Sequence, residues 1–143
     1  MKRQQQRGMT LIELMTVVAV LGIIAAIAVP SYRRYLIRSQ RSDARVALLQ
    51  VQAAQERFYL QANRYTDNVL DPMPTGLGLS AVSPGGFYRI AIDKGADQTF
   101  MARATPIEGK GQADDKDCLE LSINSTGNHA AKGPGNGDGS CWR

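Results

Sequence analysis

The N-terminal part of the chain contains an apolar segment long enough to cross a membrane, and one acidic residue interrupts it. Residues 9–29 carry only apolar, small or hydroxyl side chains apart from Glu13. As a single helix, this segment would be about 31 Å long, which matches a hydrocarbon core of about 30 Å. A carboxylate inside such a segment costs on the order of 2.5–3.5 kcal/mol in lipid. We therefore expect that a partner compensates the charge of Glu13 and that this partner is part of the function.

Three interpretations of the apolar segment are compatible with its basic flank and its length. A secretory signal peptide would be cleaved near the small residues 25–28, although an acid at position 13 does not suit its apolar region. A signal anchor explains the length but leaves Glu13 without a role. The third interpretation places cleavage before the segment, after Gly8.

Positive charge is concentrated in two short regions. The formal net charge is +4 at pH 7, and one basic region, residues 1–8, precedes the apolar segment. The second region follows it, and we call it the arginine collar: Arg33, Arg34, Arg38, Arg41 and Arg45. We expect the collar to be a solvated helix face that contacts lipid head groups. Residues 46–143 hold more acidic than basic side chains, so we do not expect a nucleic-acid partner.

The two cysteines, Cys118 and Cys141, favour a disulfide. Their spacing matches neither a C-x-x-C redox motif nor a zinc pair, and the chain has a single histidine. A disulfide needs an oxidising compartment and would contribute roughly 3 kcal/mol in the chain-entropy description. The positive-inside rule points the other way, because more basic residues follow the apolar segment than precede it. We give the cysteines priority and expect the C-terminal part on the oxidising side of the membrane.

Apolar periodicity predicts one long helix followed by a small sheet. Helical spacing continues from Ser31 to about Ala62, with one apolar stripe formed by Ala44, Ala47, Leu48, Val51, Ala54, Phe58 and Ala62. Residues 63–86 are rich in proline and glycine and read as a loop. Alternating patterns over 87–93, 99–104 and 118–123 indicate strands. We predict an α+β fold in which a membrane half-helix and an amphipathic half-helix precede a small antiparallel sheet, with a disulfide-bridged C-terminal loop.

The chain lacks a recognisable catalytic or cofactor-binding set. His129 stands alone in a glycine- and asparagine-rich stretch, which favours a solvated loop. Three acids, Asp114, Asp115 and Asp117, lack the glycine and the distal glutamate of a calcium loop, so we expect them to be solvated too. The glycine repeat at 133–139 has no strand-to-helix context for a dinucleotide. We expect neither an enzyme, nor a cofactor, nor a metal site.

Residues 7–15, Arg-Gly-Met-Thr-Leu-Ile-Glu-Leu-Met, resemble the class III signal of type IV pilins and related pseudopilins. The resemblance implies that a prepilin peptidase cleaves after Gly8 and that Met9, where the family usually has phenylalanine, becomes an N-methylated terminus. It also implies that Glu13 faces the Met9 amine of a neighbouring subunit and so fixes the axial register of a filament. Gly22 and Pro30 weaken the helix between them, which would allow this part to extend on leaving the bilayer. We expect a curve or kink near Pro30.

The resemblance implies three regions. Residues 1–8 would be the leader, and residues 9–30 the transmembrane and assembly helix. Residues 31–143 would form a globular head, comprising the half-helix 31–62, the loop 63–86 and the sheet 87–143.

The C-terminal part is most similar to minor pilins of the PilE type. The resemblance is carried by the strand at 118–121, by Ser125-Thr126-Gly127 and by the terminal Cys141-Trp142. It implies a minor pilin that supports pilus biogenesis, twitching motility and adhesion, and a bridged loop that contacts neighbouring subunits. The implied partners are other pilins in a helical filament, the prepilin peptidase and an inner-membrane assembly platform. The implied location is the bacterial inner membrane, in a single pass with the head in the periplasm, and later the extracellular pilus.

Three alternatives remain within the same resemblance. The chain could be the major pilin of the same fibre, which the sequence hardly distinguishes from a minor one. A type II secretion pseudopilin is disfavoured by the cysteine pair and by the acids at 114–117, which do not form a convincing calcium site. A DNA-uptake pilin finds its best support in the arginine collar.

Overall fold

The computed structural model describes residues 9–95, 98–134 and 139–143. Within these residues, one long helix, α1 (Leu11–Ala62), precedes four strands. The strands are β1 (Tyr88–Lys94), β2 (Phe100–Pro106), β3 (Glu120–Asn124) and β4 (His129–Lys132), with a one-turn 3₁₀ helix, Gly111–Asp114, between β2 and β3. The chain divides into two compact units, one ending at Leu36 and the other extending from Ile37 to Arg143. We call the first the N-terminal segment and the second the head.

The four strands form one antiparallel sheet in the order β1-β2-β3-β4. Burial alternates along β1 and β2, as expected for strands with one face on a core. Large and small side chains oppose one another across this pair, because Ile90 pairs with Ala104 and Ile92 with Ala102. The predicted antiparallel sheet is therefore confirmed, and the three strands anticipated from alternation differ from the observed ones by one or two residues at their ends.

The apolar stripe of α1 forms the core of the head together with the inner face of the sheet. Its buried members are Ala44, Ala47, Leu48, Val51, Ala54 and Phe58, and Ala62 is partly buried. Two polar residues of the same helix, Arg41 and Gln55, are also buried. The α+β fold class is confirmed.

Two polar side chains of α1 attach the loop that connects the helix to the sheet. The Gln55 amide donates to the Thr66 carbonyl oxygen at 2.5 Å and accepts from the Thr66 N–H at 3.1 Å. The Asp43 carboxylate accepts from the Gly85 N–H at 2.7 Å and from the Ser83 hydroxyl. These hydrogen bonds hold a proline- and glycine-rich connection against the helix at both of its ends.

The disulfide joins Cys118, just before β3, to Cys141 near the C-terminus. The two Cα atoms are 5.7 Å apart, and both residues are fully buried. The bridge therefore fixes the C-terminal residues to the head, as the sequence analysis expected.

Candidate functional site

The N-terminal segment exposes a continuous apolar surface. In α1, a stretch of 18 residues is strongly apolar, and none of this stretch is buried. Leu11 is 78% exposed and Ile27 is 70% exposed. By length and composition this helix could cross a membrane. An apolar surface of this extent needs lipid or another protein to cover it.

Glu13 lies in the first turn of α1, three residues after the residue that caps the helix. The Glu13 N–H donates to the Thr10 hydroxyl oxygen at 3.3 Å, and the Leu14 N–H donates to the Thr10 carbonyl oxygen at 3.1 Å. Thr10 is therefore the N-cap, and the run Thr10-Leu11-Ile12-Glu13 has the spacing of a capping box. This signature is visible in the sequence as a threonine followed three residues later by a glutamate, although it was not predicted above.

The carboxylate of Glu13 is free of hydrogen bonds and ion pairs within the described residues. An acid in the first turn is favoured by the helix dipole by typically 0.3–1 kcal/mol. This is less than the cost of a carboxylate in lipid. Among the described residues, the arrangement thus leaves one acidic group available to a cation. Met9, four residues before it, is exposed, whereas Gly8 lies outside the described residues.

Gly22 and Pro30 both lie inside the helix, which the structure assigns as α-helical from Leu11 to Ala62. A Cβ added at Gly22 would meet nothing within 4 Å, so close packing within this chain does not require the glycine. Pro30 cannot donate a backbone hydrogen bond to the preceding turn. The flexibility of the part between these residues, and a kink at Pro30, stay predictions.

A buried ion pair connects α1 to the segment before the disulfide. Arg41 Nε donates to Asp115 Oδ2 at 2.7 Å and Arg41 Nη2 donates to Asp115 Oδ1 at 2.8 Å. Their side chains are only 5% and 2% exposed. These hydrogen bonds raise the pKa of the Arg41 guanidinium, although burial acts in the opposite direction. Two expectations are therefore wrong, because Arg41 is not part of a solvated collar and Asp115 is not in a solvated loop.

Further donors surround the Asp115 carboxylate. The Gln112 side-chain amide donates to it at 2.9 Å, and the N–H groups of Asp117 and Cys118 donate at 3.2 Å. The carboxylate therefore organises the chain immediately before Cys118. Its role is structural, and the described residues contain no group of three or more acidic, histidine or cysteine side chains placed to hold a metal ion.

Two buried polar atoms near this ion pair lack a hydrogen-bond partner in the described part of the chain: the Tyr88 hydroxyl and Gln112 Oε1. Burial raises the pKa of the Tyr88 hydroxyl far above its ordinary value. The nearby Gln112 side chain lowers the pKa of Tyr88. The Tyr88 hydroxyl and Gln112 Oε1 are nevertheless not close enough or well enough aligned to form a hydrogen bond.

The C-terminal residues cover the outer edge of the sheet. The Trp142 indole N–H donates to the Ala130 carbonyl oxygen of β4 at 2.9 Å, and its ring stacks on His129 with centroids 4.1 Å apart. Arg45 Nη1 donates to the Trp142 carbonyl oxygen at 3.1 Å. The expectation of a loop histidine is wrong, because His129 begins β4 and this strand pairs with β3. Part of the glycine repeat, residues 135–138, lies outside the described residues.

Comparisons with known protein families give two matches. The family described as "Type IV minor pilin ComP, DNA uptake sequence receptor" matches residues 30–122. The "Prokaryotic N-terminal methylation motif" matches residues 3–29.

Individual relatives agree with these matches. The type IV major pilin protein PilA of Myxococcus xanthus is 46% identical over 108 residues, which cover 75% of this chain and 47% of that protein. The type IV major fimbrial protein FimA of Dichelobacter nodosus is 37% identical over 106 residues, which cover 74% of this chain and 62% of that protein. Both matches thus span less than two thirds of the relatives' own length.

A solved structure shares the fold. The non-core minor pilin PilV of Neisseria meningitidis superposes with a TM-score of 0.53 at 20% sequence identity, covering 69% of this chain and 89% of that one. At this identity, the similarity concerns the arrangement of helix and sheet alone.

Proposed function

Because the chain belongs to the type IV pilin family, we propose that it is a structural subunit of a type IV pilus, and specifically a minor pilin of the fibre. The observation that carries the proposal is the exposed apolar helix with an acid in its first turn. In the membrane, lipid covers this helix. In a fibre, the corresponding helices of neighbouring subunits cover it.

The proposed maturation begins with cleavage after Gly8 by a prepilin peptidase. The new amino group on Met9, which is then methylated, is a cation at the end of an apolar helix. Glu13 of one subunit pairs with the Met9 amine of a neighbour, so that neither charge is buried alone. The capping by Thr10 supports this pairing, because it occupies the Glu13 N–H and leaves the carboxylate free.

The other residues singled out in the sequence have roles at later steps. Gly22 and Pro30 allow the helix between them to extend when an inner-membrane assembly platform transfers the subunit into the fibre. The head lies in the periplasm before assembly and at the fibre surface afterwards, where the oxidised pair Cys118–Cys141 keeps the C-terminal loop in place for contacts with neighbouring subunits. Through the assembled fibre, the protein supports twitching motility and adhesion.

Incorporation into fibres tests the role of Glu13. The matched variants are Glu13→Ala and Asp67→Ala, the second of which removes an exposed acid from the head. We expect both variants to be processed after Gly8, with a methylated Met9 detectable by mass spectrometry. We expect Glu13→Ala to lower the amount in sheared fibres by at least about tenfold, since one unpaired buried charge costs well over 1.4 kcal/mol. Equal incorporation of Glu13→Ala and the parent would refute the pairing.

Abundance and deletion separate a minor from a major pilin. The family description matched by residues 30–122 names a minor pilin, whereas the relatives from Myxococcus and Dichelobacter are named major proteins. For a minor pilin, quantitative mass spectrometry of sheared fibres should find this chain far below another pilin. A clean deletion should reduce piliation or twitching without removing the main fibre protein. If this chain is instead the most abundant pilin in sheared fibres, it is the major pilin.

A DNA-uptake role is the second candidate, because the matched family description names a DNA uptake sequence receptor. The outer face of the sheet gives it little electrostatic support. Arg103 lies 2.7 Å from Asp93, and Lys132 lies 2.9 Å from Glu120, so acids neutralise these cations. Gel-shift titration of the chain with duplex DNA decides the matter, and strong binding that weakens steeply with salt would favour the receptor role.

A further inference from the structure

The structure divides the arginine collar into cations that serve the head and cations that are free. Arg41 is buried against Asp115, and Arg45 donates to the Trp142 carbonyl oxygen. Arg33 and Arg34 belong to the N-terminal segment and are exposed. Neither of these two has an ion pair or a side-chain hydrogen bond within the described residues.

The distance of these two arginines from the apolar residues places them at the depth of the lipid head groups. The apolar residues end at Val29, and at 1.5 Å per residue Arg33 and Arg34 lie about 6–8 Å beyond that end. The head-group layer on each side of a bilayer extends about 5–7 Å beyond the hydrocarbon core. Arg33 and Arg34 therefore reach the depth of the lipid phosphates when the apolar residues fill the core.

The neighbouring side chains support the same depth. Tyr32 and Tyr35 flank the two arginines and are 63% and 67% exposed. Tyrosine prefers the membrane–water interface, where its ring is in the apolar layer and its hydroxyl in the polar one. A guanidinium binds phosphate oxygens through two parallel hydrogen bonds, which makes arginine a strong ligand for a phosphodiester.

We propose that Arg33 and Arg34 bind the phosphate groups of anionic phospholipids and so hold the subunit in the membrane before it enters the fibre. This inference rests on the proposed function only for its timing. The positive-inside rule disfavours basic residues on the head side of the membrane. Lipid phosphates compensate for this placement, since they supply the opposite charge. The lipid contacts must be exchanged for protein contacts on assembly, so anionic lipid should slow extraction.

Lipid selectivity in a bilayer tests the proposal without any fibre. The full chain is reconstituted in phosphatidylcholine bilayers that contain spin-labelled phosphatidylglycerol or spin-labelled phosphatidylcholine. The fraction of motionally restricted label then gives the relative association of the two lipids. Each arginine near the surface contributes about fivefold to the attraction of an anionic surface, so the parent should clearly prefer phosphatidylglycerol.

Two double variants with the same change of charge give the comparison. Arg33→Gln/Arg34→Gln should lower this preference several-fold, whereas Arg57→Gln/Arg64→Gln, which removes two exposed head cations, should keep the preference of the parent. The basic leader is common to all three proteins. High salt should reduce the preference of the parent.

Two results would overturn the inference: no preference in the parent, or an equal preference in the parent and in Arg33→Gln/Arg34→Gln. Both are distinguishable from failure of the proposed function, because that function is tested by fibre incorporation and this one by lipid association.

Discussion

The ion pair between Arg41 and Asp115 provides the sharpest test of how the head is stabilised. The Asp115 carboxylate accepts five hydrogen bonds, two of them from Arg41. After Arg41→Met, three donors still surround the carboxylate. After Asp115→Ala, the buried guanidinium keeps one acidic neighbour among the described residues, Asp117 Oδ2 at 3.7 Å. The two substitutions should therefore have unequal effects.

The magnitudes follow from what each substitution leaves unpaired. Breaking a buried pair costs about 3–5 kcal/mol, and we expect Asp115→Ala at the upper end of this range. Arg41→Met should cost about 2–3 kcal/mol, because the remaining hydrogen bonds stabilise the charged carboxylate. The double variant should be less destabilised than the sum of the two, by about 2 kcal/mol, since the partners are in direct contact.

Urea unfolding of the oxidised head, residues 37–143, measures these free energies. With a slope of about 2 kcal/mol per molar urea, the Asp115→Ala midpoint should fall by about 2.5 M. Asp117→Ala is the control, because its side chain is 66% exposed and such pairs contribute less than about 1 kcal/mol. If Asp115→Ala does not fold, Asp115→Asn keeps the shape and takes its place. Additive effects of the two single substitutions, or a loss of stability in Asp115→Ala no larger than in Asp117→Ala, would contradict this explanation.

Three further predictions concern other buried groups of the head. Tyr88→Phe should be neutral or stabilising by about 1 kcal/mol, because the hydroxyl it removes is buried and has no hydrogen-bond partner in the part of the chain that the structure describes. Burial raises the pKa of Tyr88 in the folded state, so the stability of the parent should decline as pH rises above about 10. Urea midpoints measured at pH 8 and at pH 10.5 should therefore fall less for Tyr88→Phe than for the parent. Reduction of Cys118–Cys141 should cost about 2–5 kcal/mol and shift the fluorescence of Trp142, the single tryptophan, to longer wavelength as it leaves the β4 edge. Gln55→Ala should lower the free energy of unfolding by about 2 kcal/mol, measured by the same urea titration, because it unpairs buried backbone groups of the following loop.

The fold was predictable because its two elements have different periodicities. A 3.6-residue period in the head part of α1 and a two-residue period in β1 and β2 each place apolar side chains on one face. Strand β4 was not predictable on this basis, because the run His-Ala-Ala-Lys has no large apolar alternation. Its position depends on pairing with the preceding strand β3 and on the Trp142 indole, which donates to Ala130.

The buried polar residues of α1 could have been recognised from their phase. Arg41 is three residues before Ala44, and Gln55 is four residues after Val51, so both continue the apolar stripe. A polar residue on a buried face needs a buried partner. The sequence could not identify that partner, since Asp115 is 74 positions from Arg41 and has two other acids beside it. Only the folded head distinguishes it from Asp114 and Asp117.

Glu13 differs from these buried residues because its carboxylate has no hydrogen bond or ion pair within the described residues. The core of the head contains only residues from Ala44 onward, and Glu13 belongs to the other compact unit. Loss of its carboxylate should therefore leave the unfolding of the head unchanged, in contrast to loss of Asp115. An acid that matters for fibre incorporation but not for head stability acts through a neighbouring molecule. A stability effect of Glu13→Ala on the head, with normal incorporation, would mean that its role is internal to this chain.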